Sequence, residues 1–164
     1  MILIRAIRES DVEGFHLAVD AVCRERKYLA TFEAPEPERA RSFVISNIAA
    51  GYPQFVAEDE GRIVGWCDAI PGSAHSGSAH VGQLGMGVLA SHRGQGIGRR
   101  LLEATIQGAG QLGLEKIELS VYSRNTNAIS LYQKLGFEDE GLKKKGRLAD
   151  GVHDDVRLMA LHLV

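Results

Sequence analysis

A segment rich in glycine and arginine, residues 88–100, has the composition of an anion-binding turn. Apolar residues at strand spacing precede it and an apolar helical repeat follows it, which predicts a strand that turns directly into a helix. Glycine has no side chain, so backbone N–H groups there can approach an anion. The start of a helix adds a partial positive charge at the same place. The hexapeptide Arg93-Gly94-Gln95-Gly96-Ile97-Gly98 is therefore predicted to bind a phosphate group.

Two common phosphate-binding motifs do not match this turn. A Walker loop needs Lys and then Ser or Thr after its last glycine, whereas Gly98 is followed by two arginines. A dinucleotide fingerprint that begins at Gly94 would need a third glycine at the position of Arg99. That fingerprint also belongs to the start of a parallel sheet, and here several predicted strands come first. Both motifs are therefore disfavoured.

The composition indicates one globular domain over residues 1–164. Apolar residues make up 45% of the chain and charged residues 24%, and the net charge is −2. The charge argues against nucleic-acid binding, and no apolar run is long enough for a membrane span or a signal peptide. Cys23 and Cys67 are far apart and are expected to be reduced thiols, and the histidines lack metal-ligand spacing. These features predict a cytoplasmic protein without a metal site.

Hydrophobic spacing along the chain predicts the element order βααβββαβαββ. Strands are expected over residues 2–7, 54–58, 63–70, 80–89, 116–122, 137–145 and 152–163. Helices are expected over about 11–26, 37–50, 97–112 and 125–135. Hairpins with intervening helices imply an α/β (α+β) fold. Its sheet is mixed and mostly antiparallel, with about seven strands, and about four helices cover both of its faces.

Several finer predictions follow from local spacing. Ser10 or Asp11 is expected to cap the first helix. The buried face of the second helix is predicted to consist of Ala40, Phe43, Val44 and Ile48. Glycines inside the fourth strand predict a bulge or the close approach of a ligand. These glycines are Gly82, Gly85 and Gly87.

The hexapeptide resembles the Arg/Gln-x-x-Gly-x-Gly/Ala signature of the GNAT superfamily, the acyl-CoA-dependent N-acetyltransferases. A second segment, residues 121–137, is similar to another signature of that family, with its asparagine at Asn125 and its tyrosine at Tyr132. The predicted element order also matches the family along nearly the whole chain. The resemblance implies a GNAT-like fold and acetyl-CoA as the acetyl donor.

The resemblance also implies roles for individual residues. Backbone amides of the turn would hold the pyrophosphate of coenzyme A, and a backbone N–H near residues 87–88 would polarise the thioester carbonyl. Tyr132 would protonate the departing thiolate, and Asn125 would contact the pantetheine arm or the active-site backbone. Two structural alternatives stay open, Asn125 as a helix cap and Tyr132 as a core residue. The implied cofactor-binding residues are Met86, Gly87, Val88, Arg93, Gly94, Gln95, Gly96, Ile97, Gly98, Arg99 and Asn125.

The general base is less clearly marked. An alkyl ammonium must lose a proton before its nitrogen can attack an acyl group. Family members often carry a glutamate on the strand before the turn, where this chain offers only His80 and Gln83. The candidates for the base are His80, Glu33, Asp68 or a water relay. Glu33 and Asp68 are also candidates for contacts with the acceptor.

The predicted acceptor is a primary amine of a small molecule, such as an amino acid derivative, a polyamine or an antibiotic. The loops at residues 28–37 and 71–79 are expected to shape its pocket. Two alternatives remain: a protein N-terminus, as in ribosomal-protein acetyltransferases, and a non-catalytic sensor that binds coenzyme A. No nucleic-acid or membrane partner is expected, and a homodimer is compatible with the fold.

Overall fold

Seven strands and four α-helices follow one another in the predicted order in a computed structural model that describes residues 1–164. The strands are β1 (Ile2–Ala6), β2 (Gln54–Asp59), β3 (Arg62–Pro71), β4 (Val81–Val88), β5 (Lys116–Tyr122), β6 (Glu138–Ala149) and β7 (Val152–His162). The helices are α1 (Val12–Arg24), α2 (Pro37–Ala50), α3 (Ile97–Leu112) and α4 (Thr126–Lys134). Short 3-10 turns at Glu9–Asp11 and Ala90–His92 precede α1 and α3.

All seven strands form one sheet in the order β1-β2-β3-β4-β5-β7-β6. β4 and β5 are parallel, and every other neighbouring pair is antiparallel. The two tight hairpins turn at Glu60-Gly61 and Asp150-Gly151, where all four residues have positive φ. That geometry matches the right-handed twist of the flanking strands. The predicted mixed, mostly antiparallel sheet and its hairpin turns are confirmed.

Helices cover both faces of the sheet, as predicted. On one face the Phe15 ring of α1 packs edge-on against Trp66 of β3, with ring centroids 6.1 Å apart. On the other face α3 lies so close to β3 that a Cβ at Gly65 would be 3.1 Å from the Leu101 side chain. α4 packs beside α3, where Leu131 approaches Gly98. None of the helices is long and apolar enough to cross a membrane.

β4 and β5 separate near their middle. Residues 81–83 of β4 pair with residues 116–118 of β5, and the two strands share no further pairs. Beyond that point β4 stays paired with β3 as far as Val88, and β5 stays paired with β7 as far as Tyr122. The two halves of the sheet therefore diverge and leave a gap between residues 84–88 and residues 119–122.

The predicted buried face of α2 is wrong at two positions. Phe43 is 39% exposed and Ile48 is 42% exposed, whereas Ala40, Val44 and Asn47 are buried. Residues 40, 44 and 47 are four and three positions apart, so they lie on the same face of the helix. The buried face of α2 therefore includes the polar side chain of Asn47. Asn47 is tolerated there because its Nδ2 donates a hydrogen bond to Gln54 Oε1 at 3.2 Å.

The predicted cap of α1 is also wrong. Asp11 stands at the start of the helix, but its carboxylate makes no capping bond there. It accepts hydrogen bonds from the Arg8 backbone N–H and the Arg5 guanidinium instead, both at 2.7 Å. These bonds lower the pKa of Asp11, chiefly through the Arg5 contact.

The glycines of β4 do not mark a bulge, because the register between β3 and β4 runs unbroken from Gly65 and Val88 to Pro71 and Gly82. A Cβ at Gly87 would lie 2.4 Å from the indole ring of Trp66. A Cβ at Gly85 would lie 3.3 Å from Asp68 Oδ1. These two glycines therefore make room for large or polar side chains on the neighbouring strand.

Candidate active site

The turn before α3 presents six consecutive backbone N–H groups that have no acceptor. The first donor of the helix is the Arg100 N–H, which bonds to the Gly96 carbonyl, and none of the N–H groups of residues 94–99 donates within the protein. Gly94 and Gly96 adopt φ 75° and 77°, and nothing lies within 4 Å of a Cβ built on either. Six unpaired donors at the start of a 16-residue helix are suited to bind an anion, which is the role predicted for this turn. Below, residues 94–99 are called the cradle.

Two side chains just before the cradle hold its backbone in place. The Arg93 guanidinium forms a bidentate ion pair with Glu25, with Nη1 to Oε1 at 2.8 Å, and its Nε donates to the Val88 carbonyl at 2.9 Å. The same guanidinium lies 4.6 Å from the ring centroid of Tyr28. His92 Nε2 lies 3.0 Å from Asp59 Oδ2. The Arg93 side chain thus ties the cradle to the end of α1, and this positioning contact accounts for an arginine at that place.

We expect Glu25→Gln to weaken acetyl-CoA binding about fivefold, equivalent to ~1 kcal/mol, because the cradle loses its tie to α1. The ion pair with Arg93 lowers the pKa of Glu25, so its stabilising effect is present above pH 5 and fades as the carboxylate protonates at lower pH. Calorimetric titration at pH 7.5 measures the affinity. Asp139→Asn removes a 2.8 Å ion pair with Arg157 far from the cradle and serves as the control. Equal affinities for both variants would contradict a positioning role for Glu25.

A cavity of about 520 Å³ opens between the cradle, the end of β4 and one face of α4. It brings together all of the predicted cofactor-binding residues except Gln95, which belongs to the cradle without lining the cavity. Tyr132 lines it as well. The sequence did not predict five of the other lining residues, which are Val22, His92, Asn127, Ala128 and Leu131, and it predicted Tyr28 only as part of the loop that shapes the acceptor pocket. Tyr28 comes from the loop after α1, and no local pattern signals its approach to β4.

The end of β4 offers backbone groups to the gap. In an antiparallel ladder the N–H and C=O groups of successive residues point alternately to either neighbour. The Leu89 N–H bonds to the Val64 carbonyl of β3, so the backbone groups of Gly87 also point toward β3. The backbone groups of Met86 and Val88 point toward the gap. The Val88 carbonyl accepts the bond from Arg93, and the Val88 N–H remains directed at the gap. Of the two residues proposed to polarise a thioester carbonyl, the geometry therefore favours Val88.

Asn125 caps α4 and lines the cavity at once. Its side-chain oxygen accepts the Ala128 N–H at 3.3 Å, as in an ordinary N-cap. The cap orients the side chain and leaves the amide Nδ2 group beside the cavity. Asn125 therefore has the structural role expected of its residue type and a position suited to a polar contact with a bound arm.

Tyr132 reaches the gap from the face that carries α3 and α4. The residue is 7% exposed, and its ring packs 5.6 Å from that of Phe137. Burial raises the pKa of its hydroxyl, with a smaller contribution from Cys67, so the group stays protonated at any working pH. A buried hydroxyl that lines a cavity can donate a hydrogen bond to a thiolate that leaves there.

Three of the predicted residues, His80, Glu33 and Asp68, do not line the cavity. His80 is exposed in the turn before β4, at the end of the strand where β4 and β5 are still paired, and its carbonyl bonds to the Glu115 N–H. Eight residues separate it from Val88, about 26 Å of extended chain. Glu33 is exposed in the loop after α1, where it lies 3.9 Å from Arg24. Asp68 is buried on β3 beside Gly85, in the part of β4 that has separated from β5.

These groups have the properties that acetyl transfer from acetyl-CoA requires. The cradle can bind a pyrophosphate through its N–H groups, and the cavity is large enough for an extended arm that leads to the gap. Bound acetyl-CoA supplies the acetyl group as a thioester. The Val88 N–H can stabilise negative charge as it develops on the carbonyl oxygen, and Tyr132 can donate to sulfur. The residues present therefore fit this donor.

Comparison with known proteins agrees with this geometry. Residues 15–137 match the family model described as "Acetyltransferase (GNAT) family". The chain is 28% identical over 155 residues to the L-amino acid N-acetyltransferase AaaT of Escherichia coli, with 94% of this chain and 95% of that protein covered.

Solved structures show the same fold. The structure of yncA from Salmonella typhimurium, determined with its cofactor acetyl-CoA, superposes with a TM-score of 0.93 at 21% identity and covers 100% of this chain and 95% of that one. A ribosomal-protein-alanine N-acetyltransferase from Brucella melitensis superposes with a TM-score of 0.89 at 26% identity, with 98% and 99% covered. The chain therefore belongs to the GNAT family and is an N-acetyltransferase that uses acetyl-CoA.

Proposed function

We propose that this enzyme acetylates the primary amine of a small molecule that also carries a carboxylate, such as an amino acid or a close derivative. The observation that carries the proposal is an excess of positive charge in a second cavity beside the first. The relative AaaT is named as an L-amino acid N-acetyltransferase, which supports the same substrate class.

The second cavity measures about 380 Å³ and shares Tyr28 and Asn125 with the first. It is bounded by the loop after α1, the loop between β5 and α4, and the hairpin between β6 and β7. The shared residues place it next to the cofactor cavity. Its remaining lining residues are Arg26, Lys27, Arg124, Arg147, Ala149, Asp150, Val152 and Asp154.

Four basic side chains face two acidic ones in this second cavity, and one of the acids is already paired. Arg26 lies 3.0 Å from Asp150. Arg147 stacks 4.5 Å from the Tyr122 ring centroid and donates to the Arg26 carbonyl. Arg124 donates to the His153 carbonyl, and neither it nor Lys27 forms an ion pair. Uncompensated positive charge favours a carboxylate and disfavours a polyamine.

A protein N-terminus is the second candidate acceptor. It is favoured by the likeness to the Brucella melitensis ribosomal-protein-alanine N-acetyltransferase. A free peptide N-terminus has no carboxylate beside its amine, so it would leave the basic side chains of the second cavity unpaired. The charge of the cavity therefore ranks this acceptor below an amino acid.

A matched acceptor screen tests the proposal by the release of free thiol from acetyl-CoA. Each L-amino acid is compared with its own amide, with diamines and with peptides that carry a free N-terminus. We expect amino acids to exceed their amides in kcat/KM by at least about tenfold, equivalent to ~1.4 kcal/mol, because the amide loses the charge that the cavity attracts. A preference for peptides or diamines would contradict the proposal.

A further inference from the structure

A buried polar cluster lies on the α1 and α2 face of the sheet. It consists of Asn47 of α2, Gln54 of β2 and Asp68 of β3, and all three are at most 6% exposed. Gln54 and Asp68 are register partners on neighbouring strands, so their side chains lie on the same face. The mechanism described above uses none of these three side chains.

Two members of the cluster have unused hydrogen-bonding groups. Gln54 Nε2 is buried and has no hydrogen-bond partner, while Gln54 Oε1 accepts from Asn47. The Asp68 carboxylate forms neither a hydrogen bond nor an ion pair with α1, α2, β2 or β4. Buried polar groups without partners are rare in folded proteins, because each one costs free energy. The unpaired Gln54 Nε2 donor therefore lies on the same face of the sheet as the Asp68 carboxylate, where it could bind a polar ligand or a water molecule.

The position of Asp68 relates this cluster to the chemistry. Asp68 pairs with Gly85 of β4, which lies in the segment that has already separated from β5. The missing side chain at Gly85 leaves the space that the Asp68 carboxylate fills, with Oδ1 3.3 Å from the position of a Cβ there. Trp66, two residues earlier on β3, contacts α1, so Asp68 faces the α1 and α2 side while Tyr132 approaches from the opposite face. An acid and a base on opposite faces of the gap suit a transfer reaction within it.

We propose that Asp68 is the general base of this enzyme, reaching the acceptor amine from β3. This inference rests on the proposed function as far as the acceptor is an amine. Asp68 accepts one proton from the ammonium group of the acceptor. The nitrogen forms a bond to the acetyl carbon, the bond from that carbon to sulfur breaks, and the second proton passes to sulfur through Tyr132. Asp68 then releases its proton to water.

The environment of Asp68 is suited to this role. Burial raises the pKa of its carboxyl to about 7, and no charged group contributes to the shift. A base whose pKa lies near the working pH is both available and strong enough to accept a proton. Burial also disfavours the ionised carboxylate in the folded protein. The buried, ionised carboxylate therefore lowers the free energy of unfolding above about pH 7. This destabilisation disappears as the carboxyl becomes protonated toward pH 4.

The test compares wild type with Asp68→Asn, using whichever amine the wild type acetylates fastest. The result is therefore informative even if the enzyme does not prefer acceptors that carry a carboxylate. We expect Asp68→Asn to lower kcat about 100-fold, within the usual range for general bases. The rise of kcat/KM through pH 7 should vanish, and acetyl-CoA affinity should stay within twofold. The variant should also unfold at a higher temperature than wild type at pH 8, with a smaller difference at pH 5. A purely structural role predicts neither the lost pH limb nor the gain in stability.

A second experiment moves the carboxylate to a neighbouring strand and asks whether activity returns. The double variant Asp68→Ala/Gly85→Asp moves the carboxylate from β3 to β4 within the same space, and we expect it to regain at least about tenfold of the activity lost in Asp68→Ala. Glu118→Gln is the matched control, because that carboxylate lies on neighbouring β5 and already pairs with Lys116 at 2.9 Å. Retention of wild-type kcat and of its pH limb in Asp68→Asn would overturn the proposal. So would an equal loss of activity in Glu118→Gln.

Discussion

Gly96→Val is expected to raise the dissociation constant of acetyl-CoA at least about 100-fold, equivalent to ~2.7 kcal/mol, in a protein that still folds. Gly96 has φ 77° and stands at the start of α3, with open space where a side chain would extend. A branched side chain is strained at positive φ and would turn the cradle N–H groups away from their common target. It would also fill the space that the pyrophosphate needs. Calorimetric titration with acetyl-CoA measures the loss.

Gly51→Val is the matched control for this experiment. Gly51 ends α2 with φ 70°, again with nothing within 4 Å of a built Cβ, and it lies far from the cradle. Both variants carry a similar conformational strain, so their thermal midpoints should fall by similar amounts. We expect Gly51→Val to bind acetyl-CoA like wild type. If Gly96→Val also kept its affinity, the cradle would not be the pyrophosphate site.

Tyr132→Phe is expected to lower kcat about 100-fold while acetyl-CoA affinity stays within twofold. The hydroxyl makes no hydrogen bond within the protein, so its removal leaves no protein group unpaired. The aromatic ring and its contact with Phe137 are retained, so stability should change little. The loss should therefore appear in turnover, which steady-state kinetics at saturating acetyl-CoA measures.

Tyr52→Phe serves as the control for the loss of a tyrosine hydroxyl, because Tyr52 lines a different cavity near the end of α2. We expect its kcat to match that of wild type. Normal turnover in Tyr132→Phe would show that this tyrosine is a core residue only. A parallel fall of stability and acetyl-CoA affinity would lead to the same conclusion.

Much of the fold could be predicted from the sequence, because its signals are local. Alternating apolar residues mark β5, and the dipeptides Glu60-Gly61 and Asp150-Gly151 adopt the positive φ angles of tight hairpins. The glycines at residues 94 and 96 likewise specify a left-handed turn before α3. Such features depend on a few neighbouring residues, so the cradle and the element order could be inferred before any contact was known.

Other features depend on tertiary packing, which spacing alone does not encode. The core stripe of α2 was misassigned because Asn47 is buried through a hydrogen bond to another element. Spacing predicts a bulge or a close ligand at the β4 glycines; the register shows no bulge, and two of the glycines also accommodate Trp66 and Asp68 of a neighbouring strand. No sequence signal links Glu25 to Arg93, which are 68 residues apart.

The candidate active site likewise combines residues that the sequence predicts locally with residues that only tertiary packing brings together. Residues 93–98, which are predicted to hold the pyrophosphate of the acetyl donor, follow one another in the chain, so the sequence alone was enough to predict both this turn and its ligand. The proposed base, Asp68, did not stand out in the sequence, because a carboxylate on β3 is aligned with β4 only through strand register. The tertiary structure decided that Asp68 is buried next to Gly85, where β4 has separated from β5, whereas His80 and Glu33 are exposed, since proximity across a sheet depends on pairing and burial.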